Sequence, residues 1–351
     1  MYLASDWKDY EIIDAGGGNK HERWADVTLL RPDPQAVWPM KEPRSVHARY
    51  IRSSAGGGHW EYGRALPESW KIRYRDLTFI VRPTGFKHTG LFPEQAVNWD
   101  WMRGIVEKSG KPFRVLNLFA YTGGATAALA ASGAEVVHVD AAKGMVAWAK
   151  DNLAASGLAG APVRFIVDDV MKFVLREQRR GRTYHGILMD PPSYGRGPNG
   201  EMWKIEDNLY PLVEECVKLL DGEARFFLIN SYTTGLAPSV LSNVLKCSLG
   251  KRGGKIESDG GPAHNPRRHG AALRRFRQVG NMIPILYEDN HLLAVEKPAN
   301  MPVQGDSSGD DDLLTLLKGY IKDKYNKPGD VYLGLVHRLD RPVGGAMVFA
   351  R

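Results

Sequence analysis

The chain has 351 residues, 43% of them hydrophobic and 25% charged, a composition that excludes a disordered or fibrous protein and leaves room for roughly two or three compact domains. Its formal charge of +7 points toward polyanionic partners, RNA or DNA, although mildly basic proteins without such a partner are common. Only two cysteines occur, Cys216 and Cys247, both in helix-like apolar contexts and given no role, and no apolar run approaches the ~20 residues of a membrane span. A cytoplasmic protein is therefore expected, with no exported leader, no membrane association and no metal site.

Residues 1–85 are broken by Gly16-Gly17-Gly18, Pro32, Pro34, Pro39, Pro43 and Gly56-Gly57-Gly58, with strand-like runs at Trp70 to Tyr74 and Leu77 to Val81. This predicts a β-rich N-terminal module. Between Phe113 and Leu241, apolar runs (Arg114 to Phe119, Glu135 to Val139, Val163 to Val167, Gly186 to Met189, Arg225 to Ile229) alternate with helical stretches such as Lys143 to Ala155. Strands alternating with helices predict an α/β domain, here spanning 86–250, with a mainly parallel sheet covered on both faces. From Leu249 to Gly280 no period is sustained, and 251–281 reads as a linker. Structure resumes at Met282, with strands at Ile283 to Tyr287 and His291 to Val295. An acidic turn, Asp310-Asp311-Asp312, then leads into a helix from Leu313 to Tyr325, giving an α+β segment over 282–351.

The α/β region carries the chemistry. Val115 to Gly124 is a buried strand running into a glycine turn, and Ala125 to Ser132 can form the helix that follows. The next strand ends at Asp140, a carboxylate placed to accept hydrogen bonds from both hydroxyls of a ribose, and the third ends at Asp168-Asp169, suited to an adenine amino group. A dinucleotide enzyme would need Gly-x-Gly-x-x-Gly at the turn, and this turn lacks that spacing. A solvated aspartate in an ordinary α/β domain is the bland alternative. The fourth strand weighs against it, because Asp190-Pro191-Pro192-Ser193-Tyr194 emerges at the carboxyl edge of the sheet, where two prolines fix the chain and hold an aromatic ring outward.

With these residues the chain resembles the class I S-adenosylmethionine-dependent methyltransferases, whose sheet is Rossmann-like, and in particular the large-subunit ribosomal RNA methyltransferases of the RlmI/RlmK type, over roughly residues 10 to 250. Phe86 to Gln95 is similar to the segment that folds over the methionine end of the cofactor in that family, Gly90 included. The resemblance implies that Asn117, Phe119, Ala120, Thr122, Gly123 and Gly124 line the methionine moiety, Asp140 the ribose, and Asp169 with Val170 the adenine. It implies that Asp190, Pro191, Pro192 and Tyr194 face the target base. A sulfonium methyl is already electrophilic, so alignment should dominate the chemistry. Relatives that methylate carbon-5 of pyrimidines need a thiolate near the next strand; Leu228 to Thr233 holds no cysteine, which favours attack by a base nitrogen.

His337-Arg338-Leu339-Asp340-Arg341, with the earlier Val295-Glu296-Lys297-Pro298, resembles the RluA-type pseudouridine synthases, which places Asp340 at the catalytic position and lets Arg338 help flip the base. The chain as given ends before the strands that complete such a site, so a truncated, inactive synthase segment is expected. The methyltransferase relatives tend to end in Leu-Pro-Cys-Gly-Ala-Ser-Gly-Arg-Trp. That sequence is absent here, yet codons for His269 to Gly280, read one nucleotide later, can spell it. The agreement predicts a frameshift near Ser258 to Gly261 that runs translation into an adjacent gene, and an intact frame on resequencing would exclude it. The leading expectation is a methyltransferase acting on ribosomal RNA. Its rivals are a non-catalytic RNA-binding protein with a vestigial cofactor domain and a methyltransferase of protein or small molecules.

Overall fold

The computed structural model describes residues 6–41, 45–53, 57–198, 200–233, 236–250, 255–259, 269–274, 283, 285–305, 312–325 and 329–351. The runs Lys251 to Gly254 and Asn265 to Arg268, and Asp310 and Asp311 of the acidic turn, fall outside them. The chain divides into two compact units, 1–276 and 277–351.

The first unit opens with a five-stranded sheet, β1 (Tyr10–Gly16), β2 (Asn19–Trp24), β3 (Val27–Pro32), β4 (Ala48–Arg52) and β5 (Gly58–Tyr62), paired in chain order. A hairpin, β6 (Trp70–Tyr74) and β7 (Leu77–Val81), and helix α1 (Ala96–Glu107) follow. Next come β8 (Arg114–Leu118), α2 (Gly124–Ala131), β9 (Glu135–Asp140), α3 (Lys143–Ala155), β10 (Val163–Val167), α4 (Val170–Arg179) and β11 (Gly186–Met189). A short hairpin, β12 (Tyr194–Arg196) and β13 (Met202–Lys204), precedes α5 (Ile205–Lys218), β14 (Phe226–Ser231), α6 (Pro238–Leu249), β15 (Lys255–Asp259) and β16 (His269–Arg274). The large sheet runs β10-β9-β8-β11-β14-β16-β15, the first five parallel and β16 antiparallel to both its neighbours. The order reverses between β8 and β11, which opens a crevice at their carboxyl ends.

Strand alternation divides the core. Val115, Val136, Leu188, Phe226 and Leu228 face Trp99 and Met102 of α1, Ala127 and Leu129 of α2 and Leu153 of α3. Leu116, Leu118, Val139, Ile187, Met189, Phe227 and Ile229 face Phe173 of α4, Leu212 and Cys216 of α5 and Leu241 and Leu245 of α6. Both faces are dry, which is why these strands read as continuous apolar runs. Trp24, Ile72, Tyr74, Leu77, Phe79 and Val81 belong to the first of these cores. The N-terminal strands are therefore packed into the α/β domain. Burying a ring such as Phe79 contributes roughly 2–3 kcal/mol to that attachment.

Two segments inside the stretch read as a linker are the sheet's last two strands, β15 and β16, with Ile256 packed against the second core. Lys255 to Asp259 offers a single apolar residue, too little for a periodic signal; its pairing partner β16, itself paired to β14, supplies the order. No helix among the described residues is long and apolar enough to cross a membrane.

The second unit contains β17 (Ile285–Glu288), β18 (Leu292–Lys297), α7 (Leu313–Lys324), β19 (Gly334–Leu335) and β20 (Gly345–Ala350), in an antiparallel sheet ordered β17-β18-β20-β19. Leu293, Val295, Met347 and Phe349 pack against Leu313, Leu317 and Ile321 of α7. That helix starts where Asp312 accepts from the Thr315 N–H at 3.0 Å.

Candidate functional site

The carboxyl ends of β8, β9 and β11 and the start of α4 converge on a cavity of about 530 Å³. The loop after β8 forms one side. Phe119 (φ +53°), Tyr121 (φ +50°) and Gly123 (φ +81°) are all left-handed, an arrangement that costs each non-glycine about 1–2 kcal/mol and must be held from outside. Asp140, at the end of β9, supplies much of the hold: one carboxylate oxygen accepts from the Tyr121 N–H at 2.8 Å and the other from the Ala142 N–H at 2.9 Å. Burial pushes its pKa above the ordinary aspartate value, against the pull of those two N–H groups. Each oxygen keeps a second lone pair for a ligand.

Thr122 donates to the Gly90 carbonyl, and Asn152 of α3 donates to the Thr122 carbonyl at 2.8 Å. The segment upstream of α1 is thereby tied to the loop. Gly90 has φ +91°, and a Cβ there would lie 2.3 Å from the Trp148 ring. Gly90→Ala is expected to lose about 2 kcal/mol, strain and overpacking together, read as a lower urea midpoint. Gly123 and Gly124 serve packing as well: a Cβ would meet Ala149 at 2.9 Å in the first case and Trp99 at 2.7 Å in the second.

Opposite stand Asp169, which caps α4 by accepting from the Lys172 N–H at 2.9 Å, and Val170. Asp168 is turned away, paired with Arg176, and does not line the cavity. Asp190, Pro191, Pro192 and Ser193 form the next edge. The Pro192 carbonyl accepts from the Trp203 indole at 2.7 Å, and that ring lies 4.8 Å from Phe119. Tyr194 is outside the lining. At the β12–β13 hairpin Ser193, Gly195 and Arg196 line the cavity, while Tyr194 is 51% exposed with its hydroxyl 3.4 Å from the Met202 sulfur.

The N-terminal sheet completes the enclosure with Lys20, Arg31 and Asp33, and the segment before α1 adds Lys87, His88, Phe92 and Glu94. Arg31 grips Glu22 bidentately at 2.6 and 2.8 Å and donates to the Lys87 carbonyl at 3.0 Å. Phe92 stacks on Tyr232 at 5.2 Å and lies 5.6 Å from Tyr121, an aromatic corner.

Of the expected residues, Phe119, Asp140, Asp169, Val170, Asp190, Pro191 and Pro192 line this cavity. Asn117, Ala120, Thr122 and Gly124 line an adjoining space of about 60 Å³, shared with Phe119 and Asp190. Gly90 and Gly123 line neither. The Asn117 amide donates to Thr126 at 2.9 Å, and Thr126 also contacts buried His138, held neutral by desolvation with a pKa lowered to about 3. Sequence reading missed Lys20, Arg31, Phe92, Gln95, Tyr121, Trp203 and Tyr232. Phe92, Gln95, Tyr121 and Tyr232 sat inside segments already singled out, though for other reasons, while Lys20, Arg31 and Trp203 did not.

In the second unit Asp340 is exposed in the turn between β19 and β20. Lys297 is buried beneath that turn and donates to the carbonyls of Pro298, Asp340, Arg341 and Val343 at 3.2, 3.2, 3.2 and 2.6 Å. Desolvation lowers its pKa, opposed by the Asp340 charge.

Comparison with known proteins gives two family matches: S-adenosylmethionine-dependent methyltransferase over residues 33–215 and RNA pseudouridylate synthase over 291–351. Curated relatives include the ribosomal RNA large subunit methyltransferases K/L of Shewanella baltica, 33% identical over 155 residues, and of Syntrophotalea carbinolica, 32% over 158. The matched stretch is 44% and 45% of this chain but 21% of each relative, so the chain spans about a fifth of their length. Among solved structures, the SAM-dependent methyltransferase from Agrobacterium tumefaciens is 35% identical, with TM-score 0.72 over 76% of this chain and 91% of its own. A chain solved in complex with SAH shares the fold, at 19% identity and TM-score 0.63 over 77% of this chain and 76% of its own.

Proposed function

Because this chain belongs to the S-adenosylmethionine-dependent methyltransferase family, we propose that it methylates RNA in the cytoplasm, with ribosomal RNA as the substrate class. The curated relatives' names support that substrate, and the single observation that carries the site assignment is the cavity at the β8–β11 reversal, with Asp140 beneath it and Asp190 at its edge. Its volume lies in the range of small-molecule sites. Its lining carries Asp33, Glu94, Asp140, Asp169 and Asp190 against Lys20, Arg31, Lys87 and Arg196, an acidic excess that suits a cationic ligand. The residues thus fit the cofactor.

S-adenosylmethionine supplies, when bound, an electrophilic methyl group. Asp140 would accept from the ribose hydroxyls, Asp169 and Val170 would take the adenine, and the loop from Phe119 to Gly124 would carry the methionine end. Pro191 and Pro192 fix the edge past which a target base enters, and Asp190 offers a carboxylate oxygen to that base. Phe119, Trp203 and Phe92 exclude water from the reacting atoms and so strengthen each polar contact. For the C-terminal unit the reading is a segment of an RNA pseudouridylate synthase. Asp340 takes the nucleophile's position there, and Lys297 shapes its turn.

The test is transfer of tritiated methyl to ribosomal RNA lacking the modification, beside protein extract. Wild type should label the RNA, and Asp190→Ala should lower the rate about 100-fold while SAH still binds in calorimetry. Label confined to protein would refute RNA as the substrate.

A further inference from the structure

We infer that Gln95 is a positioning residue for methyl transfer, a side-chain amide that holds the Asp190 carboxylate and the Tyr232 hydroxyl in one fixed arrangement at the cavity edge. The inference rests on the reading of Asp190 given above and deepens it. Three separate parts of the chain meet at this side chain: the 3-10 turn Pro93–Gln95 that leads into α1, the loop after β11, and the residue following β14.

The Gln95 amide nitrogen donates to Asp190 Oδ2 at 3.3 Å and to the Tyr232 hydroxyl at 2.9 Å. Its carbonyl accepts from the Asn98 amide at 3.0 Å, and Asn98 is in turn 3.3 Å from Asn230 Oδ1, on β14. An amide has one acceptor and two N–H donors. With the acceptor taken by Asn98, only donors face Asp190 and Tyr232, so the contact is satisfied when Asp190 presents an accepting oxygen. Phe92, stacked on the Tyr232 ring, keeps that hydroxyl in place.

A cluster of amides could simply fasten α1 to the sheet. The location argues for more. Gln95, Asn98, Asp190 and Asn230 line the small space of about 60 Å³, and Asp190 and Tyr232 line the large cavity, so the network forms part of the partition between the two, beside Phe92, Phe119 and Tyr121. Holding Oδ2 sets the plane of the Asp190 carboxylate and hence the direction in which it meets a base. Misplacing a catalytic contact by about 1 Å can cost about 100-fold in rate.

The experiment compares Gln95→Ala, Gln95→Glu and Asp190→Ala in the full chain, with methyl transfer measured on whichever acceptor the wild type labels. Gln95→Ala should lower kcat about 10-fold to 100-fold, with KM and SAH affinity within about threefold of wild type. Gln95→Glu sets a second carboxylate against the first, and two carboxylates that close share a proton. Its kcat should therefore rise, relative to wild type, as pH falls from about 8 to about 6. A merely structural link would not produce that acid-favoured limb. The inference is overturned if Gln95→Ala keeps its kcat, if its loss appears in KM or SAH affinity instead, or if the Gln95→Glu profile parallels wild type. Normal activity in Asp190→Ala, or a wild type that labels nothing, removes the underlying reading as well. An impaired Asp190→Ala beside normal Gln95 variants removes the inference alone.

Discussion

Replacing Glu22 with alanine should destabilise the first unit by about 3–5 kcal/mol, measured by urea denaturation, because it strands a buried guanidinium. Glu22 is fully buried and Arg31 is 5% exposed. Both Glu22 oxygens are engaged by Arg31; one also accepts from the Tyr10 hydroxyl at 2.8 Å and lies 3.2 Å from the Lys20 amine. Removing the carboxylate leaves the charge of Arg31 uncompensated on the cavity wall. It also loosens the Lys87 carbonyl that Arg31 holds, so cofactor binding should weaken with stability. The double variant Glu22→Leu, Arg31→Met should recover most of the loss, since a buried ion pair replaced whole by apolar groups is often neutral.

The same cluster sets an acid limit. Burial alone would raise the Glu22 pKa, but Arg31 and Lys20 hold it down to about 2, below the 4.5 of an unperturbed glutamate. A carboxyl whose folded pKa is depressed contributes stability above its unfolded pKa and loses it as pH falls through the folded one. The loss should therefore develop between about pH 4.5 and about pH 2. It should be absent from the double variant.

How far the sequence disclosed this molecule depends on where each contact comes from. Strands β8, β11 and β14 were legible because burial on both faces makes each a near-continuous apolar run, and α3 was read to its bounds, Lys143 to Ala155. Asp140 and Asp190 were legible because a polar residue directly after such a run must lie at the sheet's carboxyl edge. The aromatic corner was not, since Phe92, Tyr121 and Tyr232 sit in three separate segments and meet only through tertiary packing. Tyr194, expected at the target base, is half exposed in the β12–β13 hairpin and outside the lining, which its neighbours Ser193, Gly195 and Arg196 share. Gly123 and Gly124, which the resemblance sets beside the methionine moiety, also make room for Ala149 and Trp99, and Gly90 makes room for Trp148, which brings the ligand loop into place indirectly.

That indirect construction makes Asp140 the residue on which cofactor affinity should depend most. Asp140→Ala removes the acceptor for the Tyr121 and Ala142 N–H groups and the proposed contacts to two ribose hydroxyls in one step. At roughly 1.5–3 kcal/mol for each hydrogen bond to a charged group, losing the two ribose contacts amounts to about 3–6 kcal/mol. SAH affinity in calorimetry should fall between about 100-fold and about 10,000-fold. Asp140→Asn keeps one accepting oxygen and should lose less. Because burial raises the Asp140 pKa, protonation removes the accepting form at a higher pH than for an ordinary aspartate. Wild-type SAH affinity should therefore weaken on acidification before the Glu22 cluster titrates, and Asp140→Asn should lack that dependence. Unchanged SAH affinity in Asp140→Ala would place the nucleoside elsewhere and take the assignment of this cavity with it.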